Sequence, residues 1–160
     1  MIELPHTAGC LVCGHANPHG LKLHLHVDPS GGAVTVDFIP QIEHIGFHGI
    51  VHGGVLATIF DEAMVWAATW AGRRFCVAGE MNTRFRQIAR IGEPLRFTAR
   101  VEQSRARLVT TVANARSFDG QLIAEASGKF VPMPIEKHQA VLATLVDDPS
   151  TAAAAAYLRA

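Results

Sequence analysis

What this chain of 160 residues lacks narrows what it can be. It lacks net charge: 14 Lys and Arg balance 14 Asp and Glu, so nothing in the overall balance calls for nucleic acid or an acidic membrane surface. The N-terminus, Met1-Ile2-Glu3-Leu4-Pro5-His6, lacks the basic start and apolar run of a signal peptide. There are only three cysteines, an odd number that argues for reduced thiols. Together these predict a cytoplasmic protein. No repeat or linker divides the chain, so the expectation is a single domain over 1–160 with a core of about 20–133. A loop at 5–20 would precede that core, and a helical tail at 135–160 would follow it.

What is present centres on His52-Gly53-Gly54 and the apolar segment after it, which has no Gly or Pro until Gly72. Val55, Leu56, Ile59, Phe60, Met64, Val65, Trp66 and Trp70 surround it, with alanines between. A helix apolar on every side is a buried one. A membrane span is excluded by Asp61 and Glu62 in its middle, because ionised groups are costly at a bilayer centre. The reading is a core helix that carries two carboxylates. Phe60, Trp66 and Trp70 either fill the core or line a pocket.

Before this helix, residues 5–20 are loop-like and hold Cys10-Leu11-Val12-Cys13-Gly14. Two thiolates with His6, His15 or His19 could hold zinc, but the ligand pairs would crowd one another, and a packed turn is the plainer reading. Leu21, Leu23, Leu25 and Val27 alternate with Lys22, His24, His26 and Asp28, which predicts a strand with a solvated face. Ala33–Ile39 predicts a second strand, and 40–51 a loop. Beyond the helix the pattern is strand: Phe75–Ile88, with Val77, Met81 and Phe85 as a buried face; Pro94–Glu102; Arg107–Phe118; and Gln121–Val131. Asp119-Gly120 is a hairpin signal. Leu122, Ala124, Ala126, Gly128 and Phe130 give a face of mostly small residues, which would let a sheet curl closely around a thick helix. Ile135–Val146 predicts a short helix, and Thr151–Arg159 a peripheral, frayed one.

The fold class is therefore α+β, an antiparallel β-sheet wrapped around one long central helix, which is the hot-dog arrangement. His52-Gly53-Gly54, six residues, then Asp61 resembles the hot-dog acyl-CoA thioesterases of the phenylacetate-degradation type. Glu80-Met81-Asn82-Thr83-Arg84-Phe85 and Ile91-Gly92-Glu93-Pro94-Leu95 resemble the same family, as do Cys10-x-x-Cys13-Gly14 and Asn17-Pro18-x-Gly20-Leu21. The resemblance covers roughly 10–131 and implies an acyl-CoA substrate. It also implies a homodimer or homotetramer with the active site between subunits, and no cofactor or metal, coenzyme A being part of the substrate.

The chemistry can be argued without the family. A helix N-terminus offers unsatisfied N–H groups to the oxygen of a tetrahedral intermediate, and glycine there admits a close carbonyl. The resemblance gives that role to Gly53, with Gly54 as support. A partly desolvated carboxylate can act as general base or nucleophile. Spacing favours Asp61, on a stripe with Thr58, Val65 and Thr69. Glu62 points about 100° away and would pair elsewhere. His52 could cap the helix or touch substrate. Relatives often carry Asn where this chain has Gly46 and Ser or Thr where it has Ala78; His44 and His48 are the substitutes at hand. Arg84, Arg86 and Arg90, at even-numbered intervals beyond Asn82, would share a strand face and meet coenzyme A phosphates if the strand stayed regular. The alternatives are a hot-dog hydratase or dehydratase using His48 or His52 with Glu62, and a non-catalytic acyl-CoA binding protein.

Overall fold

The structure, a computed structural model, describes residues 1–160. Two short strands begin the chain, β1 (Ile2–Glu3) and β2 (Leu25–Val27), followed by β3 (Val34–Phe38). A 3-10 turn (Ile42–His44) and a small hairpin of β4 (Ile45–Phe47) and β5 (Ile50–Val51) lead into α1 (Gly53–Gly72). Then come β6 (Cys76–Phe85), β7 (Leu95–Arg105), β8 (Leu108–Ser117) and β9 (Leu122–Pro132). Helices α2 (Ile135–Leu142) and α3 (Ala152–Arg159) close the chain. Seven strands form one antiparallel sheet in the order β1-β2-β3-β7-β8-β9-β6, and α1 lies along its inner face.

The apolar surround of α1 decides its place. Ile59, Phe60, Ala63, Met64, Ala67 and Ala68 are fully buried. Phe60 meets Phe97 of β7 edge-on with ring centres 5.0 Å apart, and Trp66 meets Phe75 at 5.5 Å. The three large aromatics of the helix are thus core residues. Across the sheet the strict alternation of β7 holds: Leu95, Phe97 and Ala99 are buried, while Arg96 and Arg100 are exposed. Ala124, Ala126, Gly128 and Phe130 of β9 also face inward, where their small size lets the strand approach the helix.

Four expectations change. The strand expected from Leu21 shrinks to Leu25–Val27, because Lys22 takes a positive φ of 53°. The N–H groups of Leu21 and Leu23 instead donate to the carbonyls of Leu11 and Val12 in the N-terminal loop. The supposed buried face of β6 is exposed: Val77 at 47%, Met81 at 36% and Phe85 at 53%. A bulge between Ala78 and Glu80 turns Val77 to the opposite face from Met81 and Phe85, and β6 is the edge strand, overhanging the helix. The 40–51 segment is not a plain loop but carries the β4–β5 hairpin. Finally, α3 is docked rather than frayed. Ala154, Ala155 and Leu158 are buried, Tyr157 stacks on Trp70 at 4.0 Å, and the Arg73 guanidinium lies 4.2 Å from the centre of the Tyr157 ring.

Candidate active site

The start of α1 is stitched from several directions. His52 is its N-cap, and its Nδ1 accepts a hydrogen bond from Gly54 N–H at 2.9 Å. The backbone N–H of His52 donates to His44 O at 2.8 Å, and Val51 N–H to Ala89 O at 2.9 Å. The ring of His52 explains Gly54, since a Cβ there would lie 2.9 Å from Nδ1. Gly53 faces the ring of Phe85, 3.2 Å from where its Cβ would be. As the first helical residue, Gly53 has an N–H with no intrahelical partner. It sits at the positive end of the helix dipole.

Along α1 from this point, Gly54, Thr58, Asp61 and Val65 form a stripe that the sheet leaves partly open. Thr69, expected on the same stripe, is buried and accepts from Cys76 N–H at 3.3 Å. Asp61 is half-buried, and its Oδ1 is buried without any hydrogen-bond partner. Burial alone pushes its carboxyl above the ordinary 3.8. A desolvated carboxylate with an unused lone pair is a stronger base than one in water. Asp61 and Gly53 do not converge within one chain, however. Eight residues of helix separate them by about 12 Å along the axis.

The other candidates are distributed more widely. Glu62 turns away from Asp61: its Oε1 accepts from Trp66 Nε1 at 3.1 Å, and Cys10 Sγ lies 3.8 Å from both its oxygens. Burial pushes Glu62 up to about 7. The Cys10 thiol is held down to about 5, chiefly by its hydrogen bond with Cys13, and that contact with burial pushes the Cys13 thiol up. His44 Nδ1 accepts from Gln41 N–H at 2.8 Å, closing the 3-10 turn, and His48 is exposed at the tip of the hairpin. Gly46 is packed tightly against His52, and a Cβ there would lie 3.0 Å from His52 Cα, so a side chain would require His52 to shift by a few tenths of an ångström.

The arginines do not share a face, because β6 ends at Phe85. Arg84 and Asn82 line a concavity of about 650 Å³ on the outer face of the sheet, away from the helix. Arg86 is paired with Glu125 at 2.6 Å. Arg90 is exposed and bridges to Ile50, beside the helix start. Gly53, His52 and Asp61 line neither the concavity beside Arg84 nor the hollow beside Lys22 and Arg96 on the same sheet. The sequence reading missed the meeting of Glu62 with Cys10 and Cys13. Helical phase set Glu62 apart from Asp61, but no local signal named the loop it would meet. His6 stacks on His15 with ring centres 4.4 Å apart, and His24 meets His15 at a tilt at 4.6 Å, rather than joining the cysteines.

Residues 48–124 match the sequence model of the thioesterase superfamily. No curated protein matches the sequence. Among solved structures, a thioesterase superfamily protein is 30% identical with a TM-score of 0.71, over 76% of this chain and 62% of that one. The match therefore spans less than two thirds of that relative's length. The E. coli PaaI protein of the phenylacetic acid degradation operon is 21% identical with a TM-score of 0.66, over 71% of this chain and 81% of that one. A Streptococcus mutans protein bound to acetyl CoA is 17% identical with a TM-score of 0.61, over 64% of this chain and 82% of that one. At such identities the last two establish the fold. With the long helix, the antiparallel sheet around it and the glycine-led helix start, the chain has the hot-dog fold, and over residues 48–124 it is similar to the thioesterase superfamily.

Proposed function

We propose that the protein is an acyl-CoA thioesterase that works as a homodimer or a dimer of dimers. The observation that carries this reading is the buried, unpartnered oxygen of Asp61 in the middle of the central helix. The carbonyl oxygen of the thioester would accept a hydrogen bond from Gly53 N–H, which polarises the carbon. Asp61 of a second copy would take a proton from water as that water attacks the carbonyl carbon, or would attack directly to form a mixed anhydride that water hydrolyses after the thiolate has left. The carbon–sulfur bond then breaks, and the coenzyme A thiolate leaves and is protonated. No cofactor is called upon.

The separation of Gly53 from Asp61 along one helix supports a site shared between chains. The exposed edge of β6, with Met81 and Phe85 uncovered, supports an interface there. The coenzyme A moiety is proposed from the similarity of residues 48–124 to the thioesterase superfamily and from the acetyl CoA held by the Streptococcus protein of similar fold. Of the basic residues, Arg90 is the proposed phosphate contact, being unpaired in the chain and next to the helix start.

Gly46, packed on His52 with no side chain to hold water, favours a second reading: an acyl-CoA binding protein without hydrolysis. A hydratase is less well supported, since Nδ1 of His52 is used in capping and Glu62 faces the cysteines. The test is free-thiol release from short, medium, long and aromatic acyl-CoAs. The expected outcome is release that falls by about 10²- to 10⁴-fold in Asp61→Asn, the range for loss of a general base. Release unchanged in that variant would remove Asp61 from the chemistry, and binding without release from any substrate would establish the second reading.

A further inference from the structure

The N-terminal loop carries a second constellation that plays no part in the proposed hydrolysis. Cys10 and Cys13 sit in a tight turn in which Val12 N–H donates to Cys10 Sγ at 3.4 Å and Gly14 N–H to Cys10 O at 3.0 Å. Only glycine fits at position 14, because a Cβ would lie 2.4 to 2.6 Å from the backbone of Cys10 and Ala8. The turn holds both sulfur atoms toward α1. From the helix, 52 residues along the chain from Cys10, comes the carboxylate of Glu62, with both oxygens 3.8 Å from Cys10 Sγ. One ligand atom from each of the three residues lies within 4.8 Å of the others.

This group has an unusual charge balance. Two sulfurs and a carboxylate meet at the edge of the core, Cys13 only 5% exposed, and no Lys, Arg or His pairs with Glu62. Two anionic ligands of one small cation stand close to one another as a matter of geometry. With bonds of about 2.3 Å to sulfur and about 2.0 Å to oxygen, tetrahedral neighbours are roughly 3.5 Å apart for sulfur and oxygen and roughly 3.8 Å for two sulfurs. The 3.8 Å from Cys10 Sγ to Glu62 is a little longer than the first of these, within reach of a small side-chain adjustment. The carboxylate is also oriented from behind by Trp66 Nε1–H, the kind of outer support that fixes a ligand.

We propose that Cys10, Cys13 and Glu62 bind a zinc ion that clamps the N-terminal loop to the central helix. Thiolate ligands select soft or borderline metals, and the carboxylate favours zinc over copper(I). With only two cysteines at hand an iron–sulfur cluster has too few ligands. The fourth position is left to water. Binding releases the thiol protons to solvent, so it strengthens as pH rises.

The experiment uses the full chain without an affinity tag. Elemental analysis of the purified protein is expected to give about one zinc per chain. Cobalt(II) exchanged into the site should show a thiolate-to-metal charge-transfer band in the near ultraviolet, with visible bands of a tetrahedral ion. Cys10→Ser and Cys13→Ser should each weaken that band, and Glu62→Gln should lower the affinity for cobalt. Trp66→Phe should lower it by about 10- to 100-fold, as expected for loss of a supporting donor. Circular dichroism checks that each variant is folded, and Cys10→Ser, at the half-buried position, is the variant least exposed to misfolding. Protein without zinc whose reduced thiols take up no cobalt would overturn the proposal. So would a Cys10–Cys13 disulfide, seen as a loss of two hydrogens by mass, in protein purified under reducing conditions.

Discussion

His52 shows how one side chain fixes several neighbours. Its ring nitrogen closes the first turn of α1 on Gly54 N–H, its backbone holds His44, and its Cα and side chain pack tightly against Gly46. Replacing His52 with Ala removes a cap, which typically costs about 1 kcal/mol. A denaturant titration should show that loss, and thiol release should fall as well, because the orientation of Gly53 N–H depends on a well-formed first turn. If stability falls but turnover per folded chain is unchanged, the helix start is not the oxyanion site. At this scale the sequence was informative about types and silent about partners. Spacing singles out Asp61 as the candidate acid, and the resemblance singles out Gly53 beside His52 and Gly54. That Gly54 is glycine because of the His52 ring, and that Glu62 meets Cys10 and Cys13, depends on contacts made across the fold.

Among the elements, α1 and β7 were the most legible, one from an apolar surround and the other from strict alternation. The face of β6 was misread, because regular spacing of Val77, Met81 and Phe85 conceals the bulge between Ala78 and Glu80. The tail was misread for a different reason: alanine gives little hydrophobic signal but packs well where space is narrow, as Ala154 and Ala155 do. Helix α2 offers a test of how the tail is held. His138 is buried, and its Nδ1 accepts from Phe75 N–H at 3.1 Å. Burial first, then Arg74, push its pKa below the ordinary 6.5, so the folded protein keeps it neutral. As pH falls below the ordinary value the unfolded chain takes up the proton first, and this contribution to stability, present above it, is lost as pH passes the lower folded value. His138→Leu should be less stable near neutral pH by about 1–3 kcal/mol, from the orphaned Phe75 N–H. Its melting temperature should then fall less than that of the parent between about pH 8 and about pH 5. Parallel pH curves would show that His138 does not titrate in this way.

The whole molecule is a hot-dog with one side unfinished. Six strands are covered by α1 or by neighbours, while β6 presents a free edge with Met81 and Phe85 exposed beside the partly open stripe of α1. No helix is long and apolar enough to cross a membrane. An uncovered apolar strand edge is a surface for pairing with another chain. Met81→Lys places a charge there without touching the buried core. Light scattering should report a monomer with an unchanged circular dichroism spectrum and little thiol release. A variant that still associates would move the interface elsewhere.

The distance from Gly53 to Asp61, about 12 Å of one rigid helix, has a kinetic consequence. Under the proposed mechanism a single chain would not act alone, so turnover would report association as well as catalysis. Specific activity would fall on dilution while every molecule remained folded. Two variants, one damaged at Gly53 and the other at Asp61, would each be silent alone and would regain activity once mixed, because a mixed pair carries one intact combination.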